Sequence, residues 1–174
     1  MAVICGRQVR ANDGLEVAAL GTRQSFADGQ SFAESLAAVV GSGAIAAIPW
    51  GFGKWTGRRG KLVETMMTAA HGRCVFLGDS RSRTQLFGEP LLIRRGRSRG
   101  LRVLAGTDPF PFAADHRRVG SFGFLANIDP DPDGPWRALR SWLENSQNLP
   151  GVYGRPSGLG RFLVNQLGMQ ITHR

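Results

Sequence analysis

Apolar residues recur along the chain in short runs that are apolar throughout rather than alternating with polar residues. The clearest runs cover residues 15–21, 44–50, 73–78, 101–105 and 118–125, and residues 2–5 form a shorter one. Strands with this pattern are typical of a parallel sheet that is buried on both faces. The pattern therefore predicts parallel strands, and the intervals between the runs leave room for crossover helices.

Helical periodicity appears between these runs. It covers residues 32–40, 61–70, 136–145 and about 159–167, and less regularly residues 84–95. Gly41 and Gly43 are stop signals after the first helix, and Pro135 is well placed in the first turn of the helix at 136–145. Gly88 and Pro90 argue against a helix in the first half of 84–95. The order strand, helix, strand, helix predicts an α/β fold.

Polar residues, glycine and proline gather directly after the predicted strands, as in WGFGKWTGRRGK, GDSRSR and GTDPFPF. The loops that follow the strands build the active face of (β/α) barrels. No GxGxxG follows a strand and no GxxxxGK[ST] is present, so the fingerprints of nucleotide-binding open sheets are missing. We therefore predict a TIM-like barrel whose candidate site lies at the carboxyl ends of the strands.

The charge balance is strongly basic. The 174 residues include 22 Lys and Arg against 13 Asp and Glu, a formal net charge of +9, and every one of these bases except Lys54 and Lys61 is arginine. Such a surplus can be a solvated surface that reflects a GC-rich genome, or it can attract a phosphorylated ligand or a nucleic acid. Nucleic-acid binding ranks last because the bases are spread along the chain and are not interleaved with aromatic residues.

The distribution of apolar residues favours a cytoplasmic protein without membrane contact. The longest apolar stretch, residues 37–52, is broken by glycine and proline. It therefore does not supply the roughly 20 consecutive apolar residues of a spanning helix. The first residues of the chain have no apolar region of signal-peptide length. Cys5 and Cys74 are accordingly expected to be reduced.

Two carboxylates follow predicted strands at matching places: Asp79 after residues 73–78, and Asp108 after residues 101–105. Carboxylates at neighbouring strand ends can ligate a divalent metal, position a water or act as a base. Asp108 can also simply cap a turn, and Asp79 can form ion pairs with Arg81 and Arg83. The residues alone leave both interpretations open.

Other residues near these strand ends could contact an anionic substrate. Lys54 and Arg58 lie in a glycine-rich loop that enters a helix, where backbone amides and basic side chains favour negative charge; a solvated loop is the alternative. Trp50 could line a pocket or only pack at the end of the sheet. A histidine-rich metal centre is not predicted, because no two histidines have HxH or HxxxH spacing. The histidines are His71, His116 and His173.

Five segments resemble, in the same order, sequence blocks of the PHP (polymerase and histidinol phosphatase) superfamily. Residues 5–8, CGRQ, resemble its Gly-x-Glu strand end, residues 15–21, LEVAALG, resemble the hydrophobic strand after it, and residues 48–51, IPWG, resemble its His-Pro block. Residues 106–110, GTDPF, resemble its Gly-Ser-Asp-x-His block, and residues 118–122, RVGSF, resemble its closing strand.

The departures from the family concern its metal ligands. Gln8 stands where the family has a bridging Glu, Trp50 stands near the position of a ligand His, and Phe110 replaces the last His. The family's opening HxDxH strand is absent. Asp108 therefore remains as the one metal ligand that the resemblance carries over.

The resemblance implies that residues 1–174 form one PHP-like α/β domain, a partial TIM-like barrel that lacks its first strands and is a fragment of a longer barrel. It implies a metal-dependent hydrolase of the phosphoesterase type. Asp108 and Asp79 would be catalytic, with Asp108 also holding a divalent metal of unknown identity. Arg81, Arg83 and Arg118 would clamp a small anionic substrate, since arginine binds phosphate or carboxylate in bidentate fashion.

One alternative is a degenerate barrel that binds an anionic ligand without turnover and holds no metal. A further alternative is a basic nucleic-acid-binding protein. The alternative to a fragment is a complete chain that makes only a partial barrel, whose exposed sheet edges would favour a homo-oligomer.

Overall fold

The computed structural model describes residues 2–69, 74–129, 131 and 133–172. Its strands are β1 (Gly6–Arg10), β2 (Glu16–Leu20), β3 (Ile45–Pro49), β4 (Val75–Ser80), β5 (Arg102–Gly106), β6 (Phe122–Leu125) and β7 (Gly151–Gly154). Its helices are α1 (Phe32–Gly41), α2 (Gly57–Thr68), α3 (Leu91–Ser98), α4 (Ala113–His116), α5 (Pro135–Glu144) and α6 (Leu159–Thr172), and a 3-10 turn covers Gln85–Phe87. The chain is thus an α/β protein.

Five strands form one open sheet in the order β1-β2-β3-β4-β5. The strands β1, β2 and β3 are antiparallel neighbours, whereas β3, β4 and β5 are parallel. Helices α2 and α3 supply the crossover connections that parallel neighbours require. Strands β6 and β7 form a separate antiparallel pair.

The prediction of a partial TIM-like barrel is wrong. A barrel of this kind needs parallel strands all round and a sheet that closes on itself. Here the antiparallel strands β1 and β2 precede the parallel unit, and β1 and β5 stand at the two edges of an open sheet. The fold therefore gives no support to a PHP-like barrel domain or to the hydrolase activity that such a domain would imply.

A tight turn after β1 explains why the first strands are antiparallel. The Asp13 carboxylate accepts the amide of Leu15 at 3.1 Å and the amide of Phe32 at 3.0 Å, and Gly14 has a φ of +81°. Asn, Asp and Gly in sequence are the residues that such turns favour. The turn returns the chain as β2 beside β1, so the first two strands are a hairpin and not a crossover unit.

The two faces of the sheet are covered differently. Helices α1, α2 and α3 pack on one face, against a core that includes Ile48 and Leu77. Helix α5 packs on the other face, where Leu143 meets Ile45 and Phe76. Because side chains alternate along a strand, consecutive residues of β3 and β4 point to different faces. We call the face under α1, α2 and α3 the covered face. We call the other one the open face, because near the carboxyl ends of its strands it carries a cleft and not a helix.

The predicted helices correspond to described elements, with changes at their ends. Residues 32–40 correspond to α1, whose start is fixed by a capping box between Ser31 and Glu34. The segment 84–95 is divided into the 3-10 turn and α3, since Pro90 stands at the N-cap of α3 and Gly88 has a φ of +64°. None of the described helices is long and apolar enough to cross a membrane. His71 and His173 lie outside the described residues.

Candidate functional site

The carboxyl ends of β3, β4 and β5 meet at one edge of the sheet, because these strands are parallel neighbours. Strand β2 runs the other way and begins at the same edge with Glu16. Asp79 and Ser80 end β4, and Asp108 follows β5 by two residues. The fold therefore brings polar residues from separate parts of the chain to one edge, as open α/β sheets commonly do at their ligand sites.

A cleft of about 290 Å³ opens on the open face at this edge. Small residues from neighbouring strands, Ala18, Ala47 and Gly78, line it and leave the space free of side chains. At its mouth stand Ser80 and Asp108. A mostly apolar cleft with a few converging polar groups is the usual form of a small-molecule site.

Asp108 is held in an unusual backbone conformation beside two serines. Its φ is +44°, the one positive φ of a non-glycine residue in the described part of the chain. Ser80 Oγ lies 3.0 Å from Asp108 Oδ2 and 2.6 Å from Ser82 Oγ, and it accepts the Ser82 amide at 3.0 Å. One hydroxyl has one proton, so when Ser80 donates to Asp108, the Ser82 hydroxyl donates to Ser80. Backbone strain of this kind is frequent at functional sites.

The surroundings of Asp108 favour its protonated form. Although the residue stays exposed as a whole, protein atoms crowd its carboxyl group, and this partial desolvation raises its pKa. The hydrogen bond from Ser80 and the positive charge of Lys54 act in the opposite direction, whereas Glu16 raises the pKa further. Lys54 Nζ itself is 2.6 Å from Glu16 Oε2. A carboxyl with a raised pKa in a cleft is a candidate proton donor or acceptor.

Asp79 is paired and buried. Its two carboxylate oxygens accept Arg83 Nε at 2.7 Å and Arg83 Nη2 at 3.0 Å, and Arg83 Nη1 donates to the Gly88 carbonyl at 3.2 Å. Strand alternation places Asp79 on the same side as Leu77, on the covered face, and Ser80 on the open face. The predicted catalytic residue Asp79 and the predicted anion ligand Arg83 thus form an ion pair with each other.

A second, smaller space also has Asp108 in its lining and adjoins the cleft there, and we call it the arginine pocket. It encloses about 10 Å³ and is lined by Arg81, Ser82, Thr107, Asp115, Arg118 and Asn165, among others. Arg81 Nη1 donates to Ser121 Oγ. Burial and the neighbouring positive charge of Arg118 lower the pKa of Arg81, whereas Asp115 raises it. The predicted residues Arg81, Arg118 and Asp108 therefore do come together.

Sequence reasoning missed the part of the arginine pocket that comes from the C-terminal segment. Ser157 donates its amide to the carbonyls of Arg81 and Arg83, both at 3.1 Å, and so fixes this segment on the loop after β4. Asn165 of α6 then reaches Asp115 Oδ2 at 3.1 Å. The residues involved are separated by dozens of positions, and no motif or spacing marks them in the sequence.

The remaining predicted ligands lie around the cleft without lining either space. Trp50 is half-buried and packs against the core of the covered face. Lys54 is held by Glu16, as described above. Arg58 is exposed in the first turn of α2. Of these residues, Lys54 is the one whose charge acts on Asp108.

A metal site does not fit the described residues. Within residues 2–69, 74–129, 131 and 133–172, no three His, Cys, Asp or Glu side chains are placed together so that they could hold a metal ion. Asp108 has serines beside it, and the other predicted carboxylate, Asp79, is occupied by Arg83. A divalent metal therefore stays a prediction from the resemblance alone.

A larger apolar groove of about 430 Å³ lies between α1 and α2 and is lined by Phe32, Leu36 and Met66. Its polar neighbours Asp13 and Ser31 are already used by the turn and by the cap of α1. Chemistry therefore points to the strand-end cleft and not to the larger groove.

No family model matches the chain, and no curated protein is significantly similar to it. The resemblance to the PHP superfamily therefore stays a prediction. The function has to be argued from the site itself.

Proposed function

We propose that this protein binds a small anionic molecule at the carboxyl ends of β4 and β5. The apolar part of the ligand lies in the strand-end cleft, and its anionic group meets Arg81 and Arg118. The observation that carries the proposal is that the cleft and the arginine pocket share Asp108 as a common wall. One ligand can therefore contact both.

The shape of the cleft limits the size of the ligand. At about 290 Å³ it is close to the lower end of the small-molecule pockets, which span roughly 300–1,000 Å³. Its lining combines the small residues Ala18, Ala47 and Gly106 with the apolar side chains of Leu20, Leu104 and Phe124. A single ring or a short aliphatic chain fits such a space, with the polar end toward Ser80 and Asp108.

The charge of the protein supports an anionic ligand. A formal net charge of +9 raises the local concentration of anions and speeds their association. Arg118 has no ion-pair partner in the described part of the chain, and Arg81 hydrogen-bonds the neutral Ser121 rather than a carboxylate. These guanidinium groups retain their capacity for bidentate contacts to an anion. Asp108, whose pKa is raised, would orient a polar group of the ligand or exchange a proton with it.

Two other functions stay predictions. Metal-dependent hydrolysis is not needed for the proposed binding. Nucleic-acid binding would require affinity that falls steeply with salt.

The experiment that tests the proposal fills the cleft. A Cβ added at Gly106 meets no atom within 4 Å, so Gly106→Val introduces its side chain into free space on the open face. We expect the variant to fold normally but to bind phenyl phosphate and benzoate about ten-fold or more weakly by titration calorimetry, because the valine occupies ligand space. Gly41→Val is the matched control, since Gly41 also has no neighbour within 4 Å and lies at the end of α1.

Unchanged affinity of Gly106→Val would contradict the proposal. So would the failure of the unmodified protein to bind either probe at millimolar concentration.

A further inference from the structure

The arginine pocket has an uneven distribution of charge. Asp115 is buried, and its carboxylate is fully engaged: Oδ1 lies 3.3 Å from Arg161 Nη2, while Oδ2 accepts the Phe110 amide at 3.3 Å and Asn165 Nδ2 at 3.1 Å. Asp115 and Arg161 thus offset each other. Arg81 and Arg118 face the pocket without a carboxylate of their own in the described residues.

Asp108 lines the same pocket, but within the described residues it forms no ion pair or side-chain hydrogen bond with Arg81 or Arg118. The charges that act on Asp108 are those of Lys54 and Glu16, and its Oδ2 accepts from Ser80. The charges that act on Arg81 are those of Arg118, Asp115 and Arg161. Two groups of charged residues therefore meet at Asp108. The group that consists of Arg81, Arg118, Arg161 and Asp115 carries an excess of two positive charges.

We propose that the arginine pocket is a subsite for a doubly charged anionic group, held by Arg81 and Arg118, with Asp115, which is paired to Arg161, as part of its wall. This inference rests on the function proposed above and names the charge of the ligand group. Two guanidinium groups that repel each other are stabilised together by a dianion more than by a monoanion. A phosphate monoester above neutral pH has that charge, and its tetrahedral oxygens suit bidentate arginine contacts.

The subsite is assembled by three parts of the chain. Arg81 follows β4, Arg118 follows α4, and Ser157 fixes the segment before α6 by its bonds to the carbonyls of Arg81 and Arg83. A buried Nε of Arg81 has no hydrogen-bond partner within the described residues. The pocket encloses about 10 Å³, room for about one water. Within the described residues no ion pair holds the half-buried Arg118 side chain, so the proposed anion binds at the rim of the pocket, within reach of that side chain.

The first experiment compares two probes of the same shape and different charge. The second ionisation of a phosphate monoester has a pKa of about 6, so phenyl phosphate is a dianion at pH 8, whereas phenyl sulfate remains a monoanion. We expect phenyl phosphate to bind about ten-fold or more tightly than phenyl sulfate at pH 8, since charge-assisted contacts to two arginines are at stake. The ratio should fall toward one at pH 5.

The sulfate arm also corrects for protein groups that titrate over this range. The titratable side chain nearest in sequence to Asp115 is the exposed His116. Asp108, Glu16 and Lys54 face the neighbouring wall. Any change in these groups acts on both probes, so the ratio of the two affinities reports the charge of the ligand.

The second experiment changes the arginine. We expect Arg118→Gln to weaken phenyl phosphate binding at pH 8 about ten-fold or more, because a charged partner of the anion is lost. Arg117→Gln is the matched control: it removes the same charge from the adjacent, exposed residue and should change affinity less than about three-fold.

The outcomes separate this inference from the proposed function. Equal binding of phenyl phosphate and phenyl sulfate at pH 8, or equal losses in Arg117→Gln and Arg118→Gln, would overturn the dianion subsite and leave anion binding in place. Failure of both probes and of benzoate to bind would overturn the proposed function itself.

Discussion

Asp79 and Ser80 are neighbours in β4, yet they belong to opposite faces of the sheet with opposite character. On the covered face, Asp79 is buried and both of its oxygens are bonded to Arg83, which also reaches a backbone carbonyl. On the open face, Ser80 contacts Asp108, which has a positive φ and a raised pKa and forms no ion pair with an arginine of the described residues. The same edge of the sheet therefore carries the Asp79–Arg83 ion pair on its covered face and the candidate site on its open face.

The difference shows how two aspartates with similar sequence surroundings take different roles. Each follows an apolar run, and each has arginines or a turn beyond it. Asp79 has an arginine four residues later that the chain folds back onto it, and this pairing stabilises the fold. Asp108 keeps polar atoms available at a cleft. Departures from ordinary local preferences are expected where a protein binds or reacts.

The largest effect on stability should come from breaking the Asp79–Arg83 ion pair. We expect Asp79→Ala to lower the free energy of unfolding by about 3 kcal/mol, because Arg83, whose side chain is 15% exposed, would lose its counter-charge. Urea unfolding measures this. The control is Asp28→Ala, which removes an exposed carboxylate. A loss below about 1 kcal/mol would show that the covered face does not depend on the pair.

The next effect distinguishes two glycines of the cleft. A Cβ at Gly78 would lie 3.0 Å from Pro49 Cα and 3.3 Å from Ile48 O, whereas a Cβ at Gly106 meets nothing within 4 Å. We expect Gly78→Ala to destabilise the protein by about 1–3 kcal/mol through overpacking. Gly106→Ala should stay within about 0.5 kcal/mol. Thermal unfolding of both variants tests this, and equal losses would contradict the shape of the cleft.

A smaller, pH-dependent effect is expected at Asp108. Its pKa is raised in the folded state, so the protein is stabilised by this group below the unfolded pKa of about 3.9 and loses that stabilisation as the pH rises through the folded pKa. The stability of the unmodified protein relative to Asp108→Asn should therefore fall with rising pH from about 3.5 upward. Urea unfolding at several pH values measures it, with the exposed Asp133→Asn as control. A difference that grows with pH would be the opposite of the expected sign.

The smallest effect should come from the exposed side of the site. Lys54 and Glu16 form a short ion pair, but the Lys54 side chain is 40% exposed. We expect Lys54→Gln to change the free energy of unfolding by less than about 1 kcal/mol, since solvent screens such pairs. Denaturation at low and high salt checks this. A loss of several kcal/mol would mean that the Lys54–Glu16 ion pair contributes substantially to the stability of the fold.

The sequence was informative where a run of residues determines its own conformation. The apolar run at 44–50 contains β3, and the runs at 73–78 and 101–105 overlap β4 and β5, each of which ends one or two residues later. The parallel order of these strands brings Asp79 and Asp108 to one edge. The hairpin of β1 and β2 was not predicted, because β1 is polar and mostly exposed. An edge strand of that kind has no apolar pattern in the sequence. Its turn residues, Asn12, Asp13 and Gly14, were the available signal.

The prediction of a barrel was wrong, and half of the candidate site was not predicted, because both depend on long-range contacts that no local sequence pattern contains. Whether parallel strands close into a barrel depends on the partner of each edge, and here β2 runs antiparallel beside β3. The pairing of Asp79 with Arg83 was recognised as an alternative. Asp115, Ser157 and Asn165 join the site through the packing of α4 and α6, which depends on tertiary structure alone.

The most direct test of the open face as a binding site is a titration with phenyl phosphate followed by amide chemical shifts. We expect the largest shifts at residues 80–82 and 106–110 and at Arg118, with little change at Asp79 and Arg83. Shifts concentrated in the groove between α1 and α2, or spread evenly over exposed arginines, would contradict a ligand site at the ends of β4 and β5.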